Sequence, residues 1–312
     1  MIKDCDGDVF EEMRCVVQEL SFEEAARAFK RYKVDFCEEK YIALGLRNLH
    51  DGQYTNLAMI ISDQCQHTTK IAVFGDPENI TFKDAKEFGG SIFKQLDDSF
   101  AYLTLCNRTA ATFRGLERVE LPDYPEEALR EALLNALVHR DYSYSGSIII
   151  NINDSGMEFI SIGGLLPGLS AEDIRSGISQ PRNRRLAEIF HRLKLIESYG
   201  TGIRKIYSLY RDCPAQPRIE VTPNTFKLIM PNMNGATAEN EQEATAKAPA
   251  VVTPQMKAVL DYLAEYGEMS DAELQELLNV KKTRAYLLAR QMQESGLIIS
   301  TGRGNAKKYR LK

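Results

Sequence analysis

Residues 131–142, EALLNALVHRDY, carry three polar side chains at a spacing that suits chemistry on a ligand. Glu131, Asn135 and His139 recur every four residues, so a helix would place them along one line of its surface. A carboxylate can orient or deprotonate a water molecule, and a carboxamide oxygen is a good Mg²⁺ ligand. The pattern therefore indicates a site for water and a hard cation, although a solvated helix edge with ordinary polar residues has the same spacing.

Two glycine segments could bring the backbone close to a ligand. Gly200, Thr201 and Gly202 precede a predicted helix, and the N–H groups at a helix start favour a phosphate. Gly163 and Gly164 follow the predicted strand MEFISI, where they would admit a ligand ring. Each segment is equally consistent with a tight turn or a flexible connection.

A basic segment lies between the two glycine segments. Residues 180–185, QPRNRR, begin a predicted helix, and Arg182 and Asn183 within them either face phosphates or are simply solvated. We expect this helix to continue to Gly200, which would act as its C-cap.

The elements that must position these residues follow from apolar periodicity. The helix that carries Glu131 has an apolar stripe at i, i+3, i+4, i+7 and i+8 spacing, namely Leu129, Ala132, Leu133, Ala136 and Leu137. A β-hairpin is predicted over residues 147–162, and RIEVT with FKLIMP forms a second one. The order helix, hairpin, helix, helix, hairpin predicts an α+β sandwich in which helices cover one face of antiparallel strands.

Residues 1–120 are expected to form a separate α/β segment. Ser21 and Glu24 match a capping box ahead of a short helix, and YIALGLRNL is read as another helix. Residues 70–74 are the best strand candidate, and SIFKQLDDSFAYLTLCNRT is helix-like. The predicted sandwich then spans residues 121–234.

The C-terminal part is expected to be a DNA-binding domain. Residues 235–252 lack large apolar side chains before Val251 and indicate a linker. Residues 253–312 predict three helices and a hairpin, the pattern of a winged helix-turn-helix, with Ser270 and Glu273 as a capping box. The third helix has an inward stripe of Ala285, Leu288, Ala289 and Met292.

Charge supports contact between this end and a polyanion. The net charge is −5, yet residues 281–312 hold nine lysine and arginine residues against one acidic residue, a local charge of about +8. The candidate DNA-binding residues are Lys281, Lys282, Arg284, Arg290, Arg303, Lys307 and Lys308. A winged helix used for dimerisation or protein contact is the alternative.

Composition limits the location and the class of protein. The 312 residues contain no apolar run of transmembrane length and no signal peptide, and six scattered cysteines form no CxxC pair. We therefore expect a cytoplasmic chain with no membrane partner, no disulfide framework and no zinc ribbon.

The segments ALREALLNALVHRDYS, GGLLPGLS and RNRRLAEIFHRLKLIESYGTGIRKI together resemble a known bacterial family. The resemblance is to the C-terminal ATPase-like domain of transcriptional regulators related to an ATP-dependent DNA helicase, which carry a Schlafen-type AlbA domain at the N-terminus. That domain is similar to the GHKL fold of gyrase, histidine kinases and mismatch-repair ATPases. The match is close over residues 121–211, and residues 21–120 resemble the segment that precedes this domain.

The resemblance implies a role for individual residues. Glu131 matches the glutamate that activates the attacking water, and Asn135 matches the asparagine that binds Mg²⁺. Gly163 falls at the first glycine of the adenine-side motif, and Gly200 with Gly202 matches the glycine box that closes on the phosphates. ATP and Mg²⁺ are therefore the expected cofactors, and slow ATP hydrolysis is the expected reaction if there is one.

The sequence departs from the family pattern in three places. His139 stands four residues after Asn135, where the family often has an acidic or small residue. Ser161 stands where the family has an aspartate that pairs with the adenine amino group, and a serine does not reproduce the acceptor geometry of a carboxylate. The AlbA domain is also not found, so we expect a shortened member or a chain that begins after that domain.

These observations predict a transcriptional regulator that binds double-stranded DNA through its winged helix and a nucleotide through its GHKL-like domain. A homodimer on a palindromic site would follow from two-fold symmetry. The alternative is a GHKL-like scaffold that has lost its nucleotide and serves protein interaction or dimerisation.

Overall fold

A computed structural model describes most of the chain. The described residues are 10–114, 116–197, 200–235, 254–278, 280, 285, 288–289, 292, 297–301 and 308–311. The chain divides into two compact units, Met1–Thr237 and Ala238–Lys312, and each is described by itself. Within the described residues, no helix combines the length and the apolar character needed to cross a bilayer.

The larger unit alternates helices and strands along its length. Its helices are α1 (Glu23–Arg31), α2 (Asn56–Ile61), α3 (Ile92–Cys106), α4 (Glu126–His139), α5 (Ala171–Ser176), α6 (Arg184–Arg192) and α7 (Thr201–Leu209), with short 3₁₀ turns at Phe10–Glu12 and Glu38–Lys40. Its strands are β1 (Thr69–Phe74), β2 (Phe82–Phe88), β3 (Thr109–Arg114), β4 (Glu117–Pro122), β5 (Ile148–Ile152), β6 (Gly156–Ile162), β7 (Arg218–Val221) and β8 (Thr225–Pro231).

Six of these strands form one mixed sheet in the order β2-β1-β5-β6-β8-β7. Strands β1 and β5 are parallel, and the other neighbours are antiparallel. The two predicted hairpins, β5–β6 and β7–β8, are confirmed, and so is the mixed α+β class. The sheet also takes in β1 and β2, which lie within the predicted N-terminal segment, while β3 and β4 pair as a separate ribbon.

Helix α4 lies at the centre of the apolar core. The whole predicted stripe is buried, and it packs against α3, α7 and β6. Pro125 occupies the position just before the helix, where its fixed φ is tolerated. Because this apolar stripe faces the core, the polar residues Glu131, Asn135 and His139 lie along the partly exposed edge of α4.

Several local predictions are wrong, and in the first of them a distant group replaces a local one. Ser21 and Glu24 do not form a capping box. The first backbone N–H groups of α1 donate instead to the Asp63 carboxylate, at 2.8 and 3.1 Å. Residues 41–49 form turns rather than a helix, and the helix that follows them is α2, for which the sequence analysis made no prediction.

The end of α6 also differs from the prediction. The helix stops at Arg192, and Lys194 adopts a positive φ of 56°, which ends helical geometry. Gly200 is therefore not the C-cap of α6. It has a φ of 62° and stands immediately before α7.

The smaller unit contains two described helices and three short strands. They are α8 (Pro254–Tyr266), α9 (Asp271–Leu278), β9 (Met269–Ser270), β10 (Ile298–Thr301) and β11 (Lys308–Leu311), with strand order β10-β11-β9. The Ser270–Glu273 capping box is confirmed by reciprocal hydrogen bonds. The predicted inward stripe is buried in a separate apolar core. The winged helix itself stays a prediction.

Most predicted DNA-binding residues lie outside the described part of the chain. These are Lys281, Lys282, Arg284, Arg290, Arg303 and Lys307. Lys308 is described on β11, where it forms an ion pair with Glu268, which also pairs with Arg310 at 2.7 Å.

Candidate functional site

A cavity of about 500 Å³ lies in the larger unit. Its walls come from α4, the loop after β6, α6 and the first turn of α7. It brings together nine of the residues singled out from the sequence: Glu131, Asn135, His139, Gly163, Gly164, Arg182, Gly200, Thr201 and Gly202. Residues from four separate stretches of sequence thus meet around one space.

Glu131 and Asn135 occupy the wall formed by α4. The Asn135 side-chain nitrogen donates to the backbone carbonyl of Glu131 at 2.7 Å, which fixes the carboxamide and turns its oxygen away from that carbonyl. The Arg130 guanidinium donates to Oε1 of Glu131 at 2.8 Å and to the Leu195 carbonyl at 2.5 Å. One carboxamide oxygen and one oriented carboxylate therefore border the cavity.

Burial changes the acidity of Glu131. Its side chain is 15% exposed, and this loss of hydration raises the pKa of the carboxyl group. The nearby cations Arg130 and Lys205 oppose the effect. A carboxylate with a raised pKa is a stronger base, as water activation requires.

The first turn of α7 lies directly against α4. A Cβ built on Gly202 would lie 2.8 Å from Oε2 of Glu131 and 3.1 Å from Nδ2 of Asn135. At Gly200, where φ is positive, a Cβ would lie 2.2 Å from the Gly177 carbonyl oxygen. Gly200 is thus required by close packing against backbone, whereas Gly202 brings the start of α7 to two side-chain ends, the Glu131 carboxylate and the Asn135 amide.

The other end of the cavity contains the loop after β6. Gly163 has a φ of 103°, and a Cβ on Gly164 would lie 2.4 Å from the Thr222 carbonyl oxygen. Arg182 donates to the Asp141 carboxylate at 3.2 Å and to the Gly164 carbonyl at 2.9 Å. This arginine therefore holds the loop against the end of α4.

His139 is half-buried at the same end. Loss of hydration, assisted by the positive charge of Arg182, lowers the pKa of its imidazole to about 4. His139 is consequently neutral at physiological pH and can offer the cavity one donor and one acceptor.

Asn183, unlike the other predicted site residues, is buried against the C-terminal end of α4 and does not line the cavity. Its side-chain nitrogen donates to the Val138 and Arg140 carbonyls, at 2.7 and 2.8 Å, and the residue is 3% exposed. It satisfies carbonyl groups at the C-terminal end of α4 that the helix itself leaves unpaired. Among the described lining residues of the cavity, Asn183 is absent.

Ser161 is also separate from the cavity surface. It lies on β6 opposite Phe226, is 3% exposed, and is not among the described residues that line the cavity, whereas Phe226 is. The position that would anchor an adenine amino group in the resembling family thus presents no side chain to this space.

Sequence reasoning missed one cationic lining residue, Lys205, whereas Arg184 belongs to the basic segment of residues 180–185 described above. A signal for Lys205 was available, because it follows Gly202 by three residues and so shares its helix face. The apolar lining comes mainly from leucine and isoleucine side chains that the sequence marks only as core residues.

Three comparisons with known proteins bear on this site. Residues 146–230 match the model of a family described as "Putative ATP-dependent DNA helicase recG C-terminal". This range includes the loop after β6, α6 and α7, and it begins after α4. The chain is thus similar, over this range, to an ATPase-like domain of a helicase-related family.

A similar fold occurs in a solved structure, the crystal structure of the DIP2311 protein from Corynebacterium diphtheriae. The two share a TM-score of 0.62 and 18% sequence identity, and the alignment covers 98% of this chain and 64% of that chain. At this identity the likeness concerns the fold alone, and the chain spans under two thirds of the length of its neighbour. No curated protein matches the chain.

Proposed function

We propose that the larger unit binds a nucleotide with Mg²⁺, with ATP as the expected nucleotide, and that the smaller unit binds double-stranded DNA as a winged helix. The chain would then be a nucleotide-responsive transcriptional regulator. The observation that carries the nucleotide part is the meeting of Glu131, Asn135 and Gly202 at one end of a single cavity.

The cavity has a suitable size and lining for a nucleotide. Small-molecule sites typically enclose about 300–1,000 Å³ and are mostly apolar with a few placed polar groups. The volume of about 500 Å³ lies in that range. Gly163 and Gly164 line the end of the cavity where a base ring would lie, and the start of α7 provides N–H groups for phosphate.

The residues present also suit Mg²⁺ held jointly with phosphates. Mg²⁺ usually binds through one or two protein oxygens together with waters and substrate phosphates. The Asn135 carboxamide oxygen would be such a ligand. No cluster of three or more His, Cys, Asp or Glu residues able to hold a metal occurs in the part of the chain that the structure describes. A metal bound without nucleotide is therefore not expected here.

Glu131 is the proposed general base if the nucleotide is hydrolysed. Arg130 fixes one carboxylate oxygen, and the raised pKa makes the group a better acceptor for a proton from water. The second oxygen, Oε2, lies against Gly202 in the first turn of α7. The expected reaction is slow hydrolysis of the terminal phosphate.

The proposal that the smaller unit binds DNA is supported by its positive charge and by the burial of the apolar stripe predicted for its third helix. The local charge of about +8 would provide the phosphate contacts that dominate affinity for a duplex. A homodimer on a palindromic site is the arrangement we propose, since most soluble oligomers are symmetric dimers.

The nucleotide proposal is tested by thermal melting with Mg-ATP, Mg-ADP and a non-hydrolysable analogue, on the wild type and Asn135→Ala. Ligand at 100 times its dissociation constant should stabilise the folded state by about 2.7 kcal/mol. A shift that needs Mg²⁺ and is lost in Asn135→Ala would support the site. No shift at millimolar nucleotide would overturn it.

Hydrolysis is tested separately with Glu131→Gln. This variant should keep the melting shift with Mg-ATP and lose phosphate release. Phosphate release equal to that of the wild type would remove Glu131 from the reaction.

A second candidate function is favoured by Ser161. Because this buried serine does not face the cavity, the larger unit could be a scaffold for protein contact that no longer holds a nucleotide. The melting experiment separates the two, since a scaffold shows no nucleotide-dependent shift.

A further inference from the structure

Lys205 lies at the Glu131 end of the cavity. It is on α7, one turn after Gly202, so the two residues share a helix face. Gly202 contacts Glu131 and Asn135, and the charge of Lys205 acts on the Glu131 carboxylate. The ammonium group therefore stands beside the place proposed for Mg²⁺.

The other two cations of the described cavity lining belong to its opposite end. Arg182 is bonded to the loop after β6, and Arg184 begins α6. Asn183, the residue between them, bonds the carbonyls at the C-terminal end of α4. Glu131 and His139 are eight residues apart on α4, so the two ends are separated by about 12 Å.

The present partner of Lys205 is a weak one. Its Nζ is 3.4 Å from Oε1 of Glu127, and the two side chains are 39% and 60% exposed. An exposed ion pair of this kind contributes little to stability, so its exchange for a more highly charged partner costs little. Glu127 lies one helical turn before Glu131, which keeps the ammonium at the cavity edge.

We propose that Lys205 leaves Glu127 and binds the terminal phosphate of a nucleoside triphosphate, so that it distinguishes a triphosphate from a diphosphate. This inference rests on the proposed function of the same cavity. The ammonium would donate hydrogen bonds to the phosphate oxygens at the end where Asn135 holds Mg²⁺. Hydrolysis would remove that phosphate, and Lys205 would pair with Glu127 again. The partner of Lys205 would therefore differ between the triphosphate-bound and diphosphate-bound states.

The test is isothermal titration with a Mg²⁺-bound non-hydrolysable triphosphate and with Mg-ADP, on the wild type, Lys205→Met and Lys205→Arg. Lys205→Met should weaken triphosphate binding by about ten- to a hundredfold and leave ADP binding within about twofold. Lys205→Arg should restore part of the loss because the positive charge remains.

Two further variants exclude a general charge effect. Glu127→Gln releases Lys205 and should strengthen triphosphate binding while ADP binding stays constant. Lys227→Met is the matched control, since Lys227 pairs with Glu158 and Glu220 on the sheet and does not line the cavity. It should leave both affinities unchanged.

The outcomes separate this inference from the function on which it rests. If the wild type binds both nucleotides and Lys205→Met weakens neither, or weakens both equally, Lys205 does not read the terminal phosphate, although the nucleotide site stands. If the wild type binds no nucleotide, both proposals are overturned together.

Discussion

The Glu131 carboxylate lies so close to Gly202 that a Cβ at position 202 would be only 2.8 Å from its Oε2 atom. A methyl group at position 202 would require this carboxylate and the Asn135 amide to move. The contact places the first turn of one helix on the proposed base carried by the other. The position of the Glu131 carboxylate therefore depends on how α7 packs against α4.

Gly202→Ala should weaken nucleotide binding much more than it lowers the stability of the fold. The added methyl group would displace the Glu131 carboxylate and the Asn135 amide, so we expect nucleotide binding to weaken at least tenfold. The free energy of unfolding without ligand should fall by only about 1 kcal/mol, since the displaced atoms are at the ends of side chains. Titration of nucleotide and denaturant unfolding measure the two effects.

Gly89→Ala provides the control for that substitution. A Cβ on Gly89 would meet only the Thr68 methyl group, at an ordinary contact distance of 3.5 Å. Equal loss of nucleotide binding in both glycine variants would contradict a specific role for the contact between Gly202 and Glu131.

Glu11 should make the stability of the larger unit depend on pH. Its buried carboxylate accepts the backbone N–H groups of Arg185 and Leu186, yet burial raises its pKa to about 7. The folded state thus binds a proton more readily than the unfolded state between about pH 4.5 and 7. The contribution of Glu11 to stability is complete below this window and declines by about 3 kcal/mol as the pH rises through it.

Glu11→Gln should therefore remove part of the slope of unfolding free energy against pH within this window. Glu12→Gln is the matched control, because Glu12 is exposed and pairs with Arg185 at 3.1 Å. Chemical denaturation at pH 5, 6, 7 and 8 measures the slope. A Glu11→Gln slope identical to that of the wild type would show that Glu11 keeps an ordinary pKa.

Asn183→Ala should lower the free energy of unfolding and have no direct effect on ligand binding. The substitution leaves the Val138 and Arg140 carbonyls without their side-chain donor in a buried place, at a cost of about 2–3 kcal/mol. The exposed Asn224 gives the control, and Asn224→Ala should change stability by less than about 0.5 kcal/mol. An Asn183→Ala variant of unchanged stability that loses nucleotide binding would instead identify a binding residue.

DNA binding by the smaller unit should depend steeply on salt. Each phosphate contact removed should reduce the slope of log affinity against log salt by roughly 0.9. The double substitution Lys281→Ala and Lys282→Ala should therefore lower the slope by about 2 and weaken binding to all sequences alike. Binding to duplex that ignores salt in the wild type would favour a protein-contact role.

Sequence patterns predicted those features that local physics determines. The stripe of α4 and the hairpin β5–β6 follow from the period of the apolar residues. Long-range partners could not be predicted in this way. Asp63 caps α1 from some 40 residues away, and Glu11 meets α6 from about 174 residues away.

Strand β2 and residue Lys205 were missed for different reasons. The strand sequence FKDAKEF alternates charges on an exposed edge, so it lacks the apolar signal of a half-buried strand. Lys205 belongs to no motif. Its spacing from Gly202 places it on the same helix face, but the position of that face against α4 follows only from the tertiary structure. The spacing of apolar residues along the sequence cannot identify a residue whose role depends on tertiary contacts.

The parallel pairing of β1 with β5 has a practical consequence for producing the nucleotide-binding region alone. A fragment that began at residue 121 would lack β1 and β2, and the backbone N–H and C=O groups of β5 would face solvent along a new sheet edge. Exposed strands of this kind recruit other chains and aggregate. A recombinant fragment meant for crystallisation should therefore begin before Thr69, so that the sheet retains all six of its strands.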